Sequence, residues 1–222
     1  MKIVCISDTH CIYQPKDLPD GDVLIHAGDL SLLGEIHEVQ HALAWLRKFP
    51  HRYKFVIAGN HDNALAEMPY AFKEQFEPYK DRTPLIHLRG TEFQAEGVRF
   101  FGSSVLPFNS FYRPGARAYM LHSTTARHWG MAPNCDVLIT HGPPKGILDE
   151  AAVLLDGEED PKLGDPCLRA YVQMVKPKLH VFGHIHCRHG MVIEGSTTFV
   201  NAALINEKYE HGQTYEPIVV DI

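Results

Sequence analysis

Cysteine is scarce and badly spaced for structural use in this chain. The 222 residues include 5 cysteines, an odd number, and no two stand as Cys-x-x-Cys. That pattern argues against a disulfide framework or a thiolate-built zinc site, and a reducing, cytoplasmic setting is expected. Cys5 and Cys135 adjoin apolar runs and are expected to pack. Long hydrophobic runs are also missing. Nothing approaches the roughly 20 apolar residues of a membrane helix. The first apolar run, 3–6, is too short for a leader and ends at Ser7-Asp8, so no membrane association is expected. Excess positive charge is absent too: the formal net charge is -6. A chain of that charge offers no broad cationic surface, and no stable nucleic-acid binding is expected. Repeats, low-complexity tracts and linkers are lacking, so residues 1–222 are expected to form a single domain.

What remains is ordinary for a globular chain, with 45% hydrophobic and 22% charged residues, enough for one large core. The unusual abundance is 15 histidines. Histidine is the commonest metal ligand and titrates near neutral pH, so position decides its meaning.

Short β-branched runs recur, and several halt at polar residues. Residues 3–6 run into Ser7-Asp8-Thr9-His10, residues 23–25 into His26-Ala27-Gly28-Asp29, and residues 55–57 into Ala58-Gly59-Asn60-His61-Asp62. Residues 137–139 run into Thr140-His141-Gly142, and residues 179–182 into Gly183-His184-Ile185-His186. Runs of this length suit strands buried on both faces. Helical periodicity is expected over 36–49, over 64–79 with Pro69 interrupting its start, over 167–175 with Pro177 stopping it, and over 117–129. Late strands are expected over 191–194, 197–201 and 218–222, with Gly195-Ser196 as a hairpin turn. Alternating strands and helices imply an α/β layered domain. Two long loops are expected, 103–117 and 142–165.

Five strand ends thus carry oxygen and imidazole donors: Asp8 and His10, Asp29, Asn60 with His61, His141, and His184 with His186. Sites in α/β sheets form where such carboxyl ends converge. Asp8 and His10, like His184 and His186, are two apart, and in extended backbone such pairs face one way. The donors exceed what one tetrahedral ion needs and suit two ions about 3.5–4 Å apart sharing a carboxylate. Mixed His, Asp and Asn donors without thiolate suit Mn²⁺, Fe, Zn²⁺ or Ni²⁺ and do not choose among them. Gly28, Gly59, Gly142 and Gly183 flank these groups, where the chain must turn or a ligand approach closely.

Asp8-Thr9-His10, Gly28-Asp29, Gly59-Asn60-His61-Asp62, Thr140-His141-Gly142 and Gly183-His184-Ile185-His186 together resemble the five signature blocks of the calcineurin-like metallophosphoesterases, in the family's order. The segments 140–144 and 178–183, with the hairpin to Asn201-Ala202, are similar to the branch of metallophosphoesterase-domain-containing proteins, which are class III cyclic nucleotide phosphodiesterase-like enzymes. The resemblance implies a four-layer α-β-β-α sandwich, two mixed sheets flanked by helices. It implies two divalent ions, Mn²⁺ first among the candidates. Asp8, His10 and His186 would hold one ion, Asn60, His141 and His184 the other, and Asp29 would bridge. His61 would stand by the substrate as catalytic acid without binding metal, and a metal-bridging hydroxide would attack phosphorus. Some members of the branch have Gly where this chain has His184, so a full dinuclear centre is expected here.

One departure stands out. Many members carry a second Asp, which orients the catalytic His, where this chain has Leu32; Gly34 follows Leu33 where the protein phosphatases have Arg. A phosphoprotein phosphatase is therefore disfavoured, and Asp62 is the nearest candidate to hold His61. The expected activity is phosphodiester hydrolysis on small substrates such as cyclic nucleotides. The alternatives are a nuclease, a nucleotide pyrophosphatase or a phosphomonoesterase on the same site, or a non-catalytic interaction module that kept the fold. His26 and His180 lie within apolar runs and are expected to be hydrogen-bonded core residues. His189 is expected in an exposed loop, and Asn201 is balanced between facing the site and not. Residues 108–113, with three aromatics and Arg113, would stack a base or pack on themselves; the acidic run 156–160 is expected to be solvated.

Overall fold

A computed structural model describes residues 1–76, 84–107, 116–121, 124–151, 162–209 and 214–222. In chain order the elements begin with β1 (Lys2–Ile6), β2 (Val23–His26), α1 (Ile36–Leu46), β3 (Tyr53–Val56), α2 (Asn63–Glu67) and α3 (Lys73–Phe76). They continue with β4 (Leu85–His87), β5 (Thr91–Ala95), β6 (Val98–Ser103), β7 (Leu106–Pro107), β8 (Met120–Leu121), α4 (Ala126–Met131) and β9 (Val137–Thr140). The last are α5 (Pro166–Val175), β10 (Leu179–Phe182), β11 (Gly190–Glu194), β12 (Thr197–Asn201) and β13 (Ile218–Asp221).

Two mixed sheets result, ordered β13-β1-β2-β3-β4 and β11-β12-β10-β9-β6-β5. Each has four parallel strands, extended by one antiparallel neighbour, β13, in the first sheet and by two, β11 and β5, in the second. The continuous apolar runs follow from this. Ile3, Cys5, Val23, Ile25, Phe55, Val137, Ile139, Leu179 and Val181 fill the space between the sheets. Val4, Ile6 and Leu24 point the other way, onto Val39, Ala42, Leu43 and Leu46 of α1. Leu138, Phe182 and Phe199 meet Trp129 of α4 and Leu168, Tyr171 and Val172 of α5. A strand covered on both faces has no solvent side on which to place polar residues. The result is the expected α-β-β-α sandwich.

Register sets the site. Ile6 pairs with His26 and His26 with Val56, so the loops after β1, β2 and β3 leave their sheet side by side. In the other sheet Ile139 pairs with Val181, bringing together the loops after β9 and β10. The sheets are joined at this end: Ser7 bridges Ala203, and the Leu204 N–H donates to the Ser7 carbonyl at 2.9 Å.

Several boundaries differ from expectation. α1 ends at Leu46 rather than 49. The region after residue 64 is broken into α2, a 3₁₀ turn Pro69–Phe72 and α3, because Pro69 cannot continue α2; residues 77–79 lie outside the described residues. The expected helix over 117–129 shrinks to α4, with β8 preceding it. The strands β4, β5 and β6 were not anticipated. α5 starts as its sequence dictates, with Asp165 accepting the Cys167 N–H at 2.7 Å and Pro166 in the first turn. The hairpin at Gly195 is present, with φ +62 there. None of the described helices is long and apolar enough to cross a membrane.

Candidate metal centre

All eight expected site residues converge at the joined end of the two sheets. Asp8, His10, Asp29, Asn60, His61, His141 and His186 are buried, and His184 is half-buried. The backbone that delivers them is not the extended chain expected from their spacing. Asp8, His10, Asp29 and His184 have φ of +53, +46, +54 and +69, and His186 opens a 3₁₀ turn. Asp8 and His10 still meet, but through left-handed turns. Such φ values are uncommon outside glycine, cost of order 1–3 kcal/mol each, and persist where surrounding structure enforces them.

The donor atoms crowd together. His186 Nε2 lies 3.1 Å from Asp8 Oδ1, and His10 Nε2 lies 3.9 Å from that atom and 3.5 Å from Asp29 Oδ2. His141 Nε2 lies 3.2 Å from Asp29 Oδ2 and 3.0 Å from Asn60 Oδ1. Three sets of ligand atoms each fall within 4.8 Å of one another: Asp8, His10 and His186; His10, Asp29 and His61; and Asp29, His141 and His184. His10 and Asp29 each belong to two of them, and Asp29 Oδ2, close to both His10 and His141, lies between the halves.

Backbone carbonyls set the rings. His10 Nδ1 donates to Ser31 O at 3.0 Å, His141 Nδ1 to Ala27 O at 2.8 Å and His186 Nδ1 to Asn206 O at 3.1 Å. A ring held through Nδ1–H offers the Nε2 lone pair to a cation. Buried His10 Nε2 has no hydrogen-bond partner among the described residues, an arrangement that a cation would satisfy. Two glycines keep the carboxylates close to the opposite loops. A Cβ on Gly183 would stand 1.9 Å from Asp8 Oδ2, and one on Gly59 would stand 2.1 Å from Asp29 Oδ1.

His61 is held differently from expectation. Its Nδ1 donates to the carbonyl of Leu32 at 2.7 Å, so backbone at the position of the missing second Asp supplies the acceptor. Asp62 does not touch the ring. Its buried carboxylate accepts from the N–H groups of Gly59 (2.8 Å), Ser31 (2.9 Å) and Leu30 (3.2 Å) and from the Ser31 hydroxyl (2.7 Å), tying the loop after β2 to the loop after β3. The His61 N–H in turn donates to Asp29 Oδ1 at 2.8 Å.

Charge at the site is tightly linked. Burial opposes ionisation of Asp8, yet the hydrogen bond and charge of His186 hold it below the ordinary carboxylate range. Burial likewise opposes charge on Asp29, which His141, His61 and His10 overcome. His141 is disfavoured as a cation by burial but held up at about 9 by Asp29, and His186 is raised by Asp8 against the same penalty. Burial pushes His10 and His184 down to about 3. Burial and the nearby Asp29 charge raise Asp62 to about 6. The two carboxylates thus favour the charged form of His141 and His186 against burial, and cations would compete with protons for the same ring nitrogens.

The remaining expectations divide. His26 and His180 are buried and bonded to Thr9 and Thr140, as expected of core histidines. His189 is not an exposed loop residue: it is half-buried, donates to Ala203 O at 2.8 Å and stacks on Tyr215. Asn201 braces the site rather than facing it, donating to Ile185 O at 2.9 Å and accepting the Ala203 N–H at 3.2 Å. Residues 108–113 and 156–160 lie outside the described residues. Sequence reasoning missed Tyr209, whose ring lies 5.0 Å from that of His10, 5.1 Å from that of His186 and 6.4 Å from that of His61.

A fold of this kind and a cluster of this composition point to one family, and comparison agrees. The chain belongs to the calcineurin-like phosphoesterase family, whose model matches residues 1–188. It is 36% identical to metallophosphoesterase domain-containing protein 1 of Homo sapiens, over all of this chain and 71% of that protein. It is 39% identical to a UPF0046 protein of Caenorhabditis elegans, over 93% of this chain and 71% of the relative. Among solved structures, phosphopantetheinyl hydrolase of Mycobacterium tuberculosis superposes with a TM-score of 0.59 at 14% identity, covering 94% of this chain and 90% of that one, a likeness of fold alone. Family membership supports a metal-dependent phosphoesterase, hence a hydrolase. Calcineurin-like phosphoesterases bind a dinuclear divalent centre, which the donor groups here fit.

Proposed function

We propose that the chain is a phosphodiesterase acting on small substrates, cyclic nucleotides among them, through two divalent cations. Asp8, His10 and His186 would hold one ion, and Asn60, His141 and His184 the other, with Asp29 shared. The carrying observation is that Asp29 Oδ2 lies 3.5 Å from His10 Nε2 of one half and 3.2 Å from His141 Nε2 of the other. Two cations held there would neutralise charge on phosphate oxygens and acidify bound water. The chain's own part is to orient. The carbonyls of Ser31, Ala27 and Asn206 aim three imidazoles, and Leu32 aims His61. His61, outside both ligand sets in this reading, would place a proton on the departing alkoxide.

Mn²⁺ is the first candidate metal, with Fe, Zn²⁺ and Ni²⁺ as alternatives, since all accept imidazole and carboxylate. The proposed setting is cytoplasmic, given free thiols at all five cysteines. The test is hydrolysis of bis-p-nitrophenyl phosphate and of 3′,5′- and 2′,3′-cyclic nucleotides with defined metals. Metal-dependent cleavage lost in Asp29→Ala and His61→Ala is expected. Undiminished turnover in Asp29→Ala with chelator present would overturn the reading. Preference for monoesters over diesters would move the assignment to a phosphomonoesterase.

A further inference from the structure

The two halves of the cluster are supported unequally. His141, in one half, is tied from beneath by Ala27 O, within the same sheet end that carries Asp29. The half made by Asp8, His10 and His186 is gripped from outside by a turn that follows β12. Asn206 O accepts from His186 Nδ1 at 3.1 Å and from the Tyr209 N–H at 3.1 Å. Asn206 Oδ1 accepts the Lys208 N–H at 3.1 Å, closing the turn on itself. The base of this loop is anchored by the Leu204 N–H on Ser7 O, the Tyr215 N–H on Leu204 O and the bridge between Ile205 and Thr214.

From this turn Tyr209 lays its ring against His10 at 5.0 Å and 69°, and against His186 at 5.1 Å and 60°. These are edge-to-face and tilted contacts, which add to simple burial. Tyr209 has φ +57, which a bulky residue adopts at a cost and which aims its side chain at the cluster. The rings of His141 and His184 contact each other at 5.1 Å.

We infer that Tyr209 is a positioning residue for one half of the metal centre, holding the His10 and His186 rings on the cation shared with Asp8 while leaving the Asn60–His141–His184 half untouched. The inference rests on the dinuclear reading above. It acts through the ring, so the phenol oxygen is dispensable to it. Groups that orient ligands typically change metal affinity by about 10–100-fold when removed.

The test is titration of the metal-free full chain with Co²⁺, followed by visible absorption and by equilibrium dialysis, in two backgrounds that each retain one half. In His184→Ala, which keeps the Asp8–His10–His186 half, adding Tyr209→Ala is expected to weaken the remaining ion by about tenfold or more. In His186→Ala, which keeps the other half, the same change is expected to leave the remaining ion unaffected. Tyr209→Phe is expected to match the parent in both backgrounds, and circular dichroism checks that each variant is folded. Equal weakening in both backgrounds, no weakening in either, or failure of Tyr209→Phe to restore affinity overturns the inference. A wild-type protein that takes up a single ion counts against the dinuclear reading; the role of Tyr209 then stands or falls on whether Tyr209→Ala weakens that ion.

Discussion

Replacing Gly59 by alanine adds a single methyl group and perturbs the shared carboxylate directly. A Cβ at this position would lie 2.1 Å from Asp29 Oδ1, 2.7 Å from Asp29 Cγ and 2.4 Å from the Asp29 backbone nitrogen, where ordinary contact begins at 3.4 Å. Turning the carboxylate relieves only the first two, because the third is backbone. The loop after β2 must therefore retreat from the loop after β3 by about 1 Å, the deficit that ordinary contact distances imply. That movement stretches the His61 N–H bond to Asp29 Oδ1, now 2.8 Å, and the 3.2 Å approach of His141 to Asp29 Oδ2. Overpacking of this kind costs about 1–3 kcal/mol. For a chain of this size each kcal/mol lowers the melting midpoint by roughly 2–4 °C. Displacing a reacting group by about 1 Å costs on the order of 10²-fold in rate. Gly59→Ala is thus expected to stay folded, melt several degrees lower and lose about two orders of magnitude of phosphodiester turnover at saturating metal. Gly130→Ala is the control: nothing lies within 4 Å of its Cβ, and it sits in α4. It is expected to keep full turnover and gain up to about 1 kcal/mol from helix propensity. Wild-type turnover in Gly59→Ala would refute the claim that the position of Asp29 limits the chemistry.

Asp62→Ala removes the acceptor of three buried N–H groups, at about 1–3 kcal/mol for each group left unpaired, so urea denaturation is expected to show a loss of roughly 3 kcal/mol or more. A loss below about 1 kcal/mol would contradict the clamp assigned to it. Asn201→Ala releases the Ile185 carbonyl between His184 and His186 and is expected to weaken metal binding by about 10-fold or more, read by competition with a chromogenic chelator. Removing metal exposes a pH dependence. His141 is raised in the folded protein to about 9 from an ordinary value near 6.5, so its contribution is complete below the unfolded value and lost as pH rises through about 9. The melting midpoint of the chelator-treated protein is expected to fall between pH 7 and 9 more steeply than that of the metal-loaded protein. Parallel curves would show that His141 carries no such proton.

The strand ends were legible because their signal is local. An apolar run that stops at Asp8, Asp29, Asn60, His141 or His184 states both that the strand is covered on two faces and where its polar load begins. The backbone geometry was not legible. Extended spacing accounts for neither pair, because the chain at Asp8, His10 and His184 turns left-handed, a conformation that Asp and His adopt more readily than most residues but that their presence alone does not announce. The acceptor for His61 was invisible for a related reason: it is a carbonyl, which every residue possesses, so Leu32 in place of Asp read as a loss. Asp62 adjoins His61 in sequence yet bonds Gly59, Leu30 and Ser31, since adjacency says little about which way a buried carboxylate faces. Tyr209 had no motif to mark it; it reaches the cluster because the chain returns from β12 across Ser7. The helix expected over 117–129 forms only from Ala126, because its early residues instead serve β8 and the Ala118 N–H bond to Asn60 O, a tertiary demand that overrides local preference.

The most direct measurement is anomalous diffraction from crystals grown with Mn²⁺, recorded above and below the manganese edge. Two peaks per chain are expected, about 3.5–4 Å apart, with Asp29 touching both, Asp8, His10 and His186 around one and Asn60, His141 and His184 around the other. A single peak, or peaks away from Asp29, would contradict a cation pair held between the two sheets.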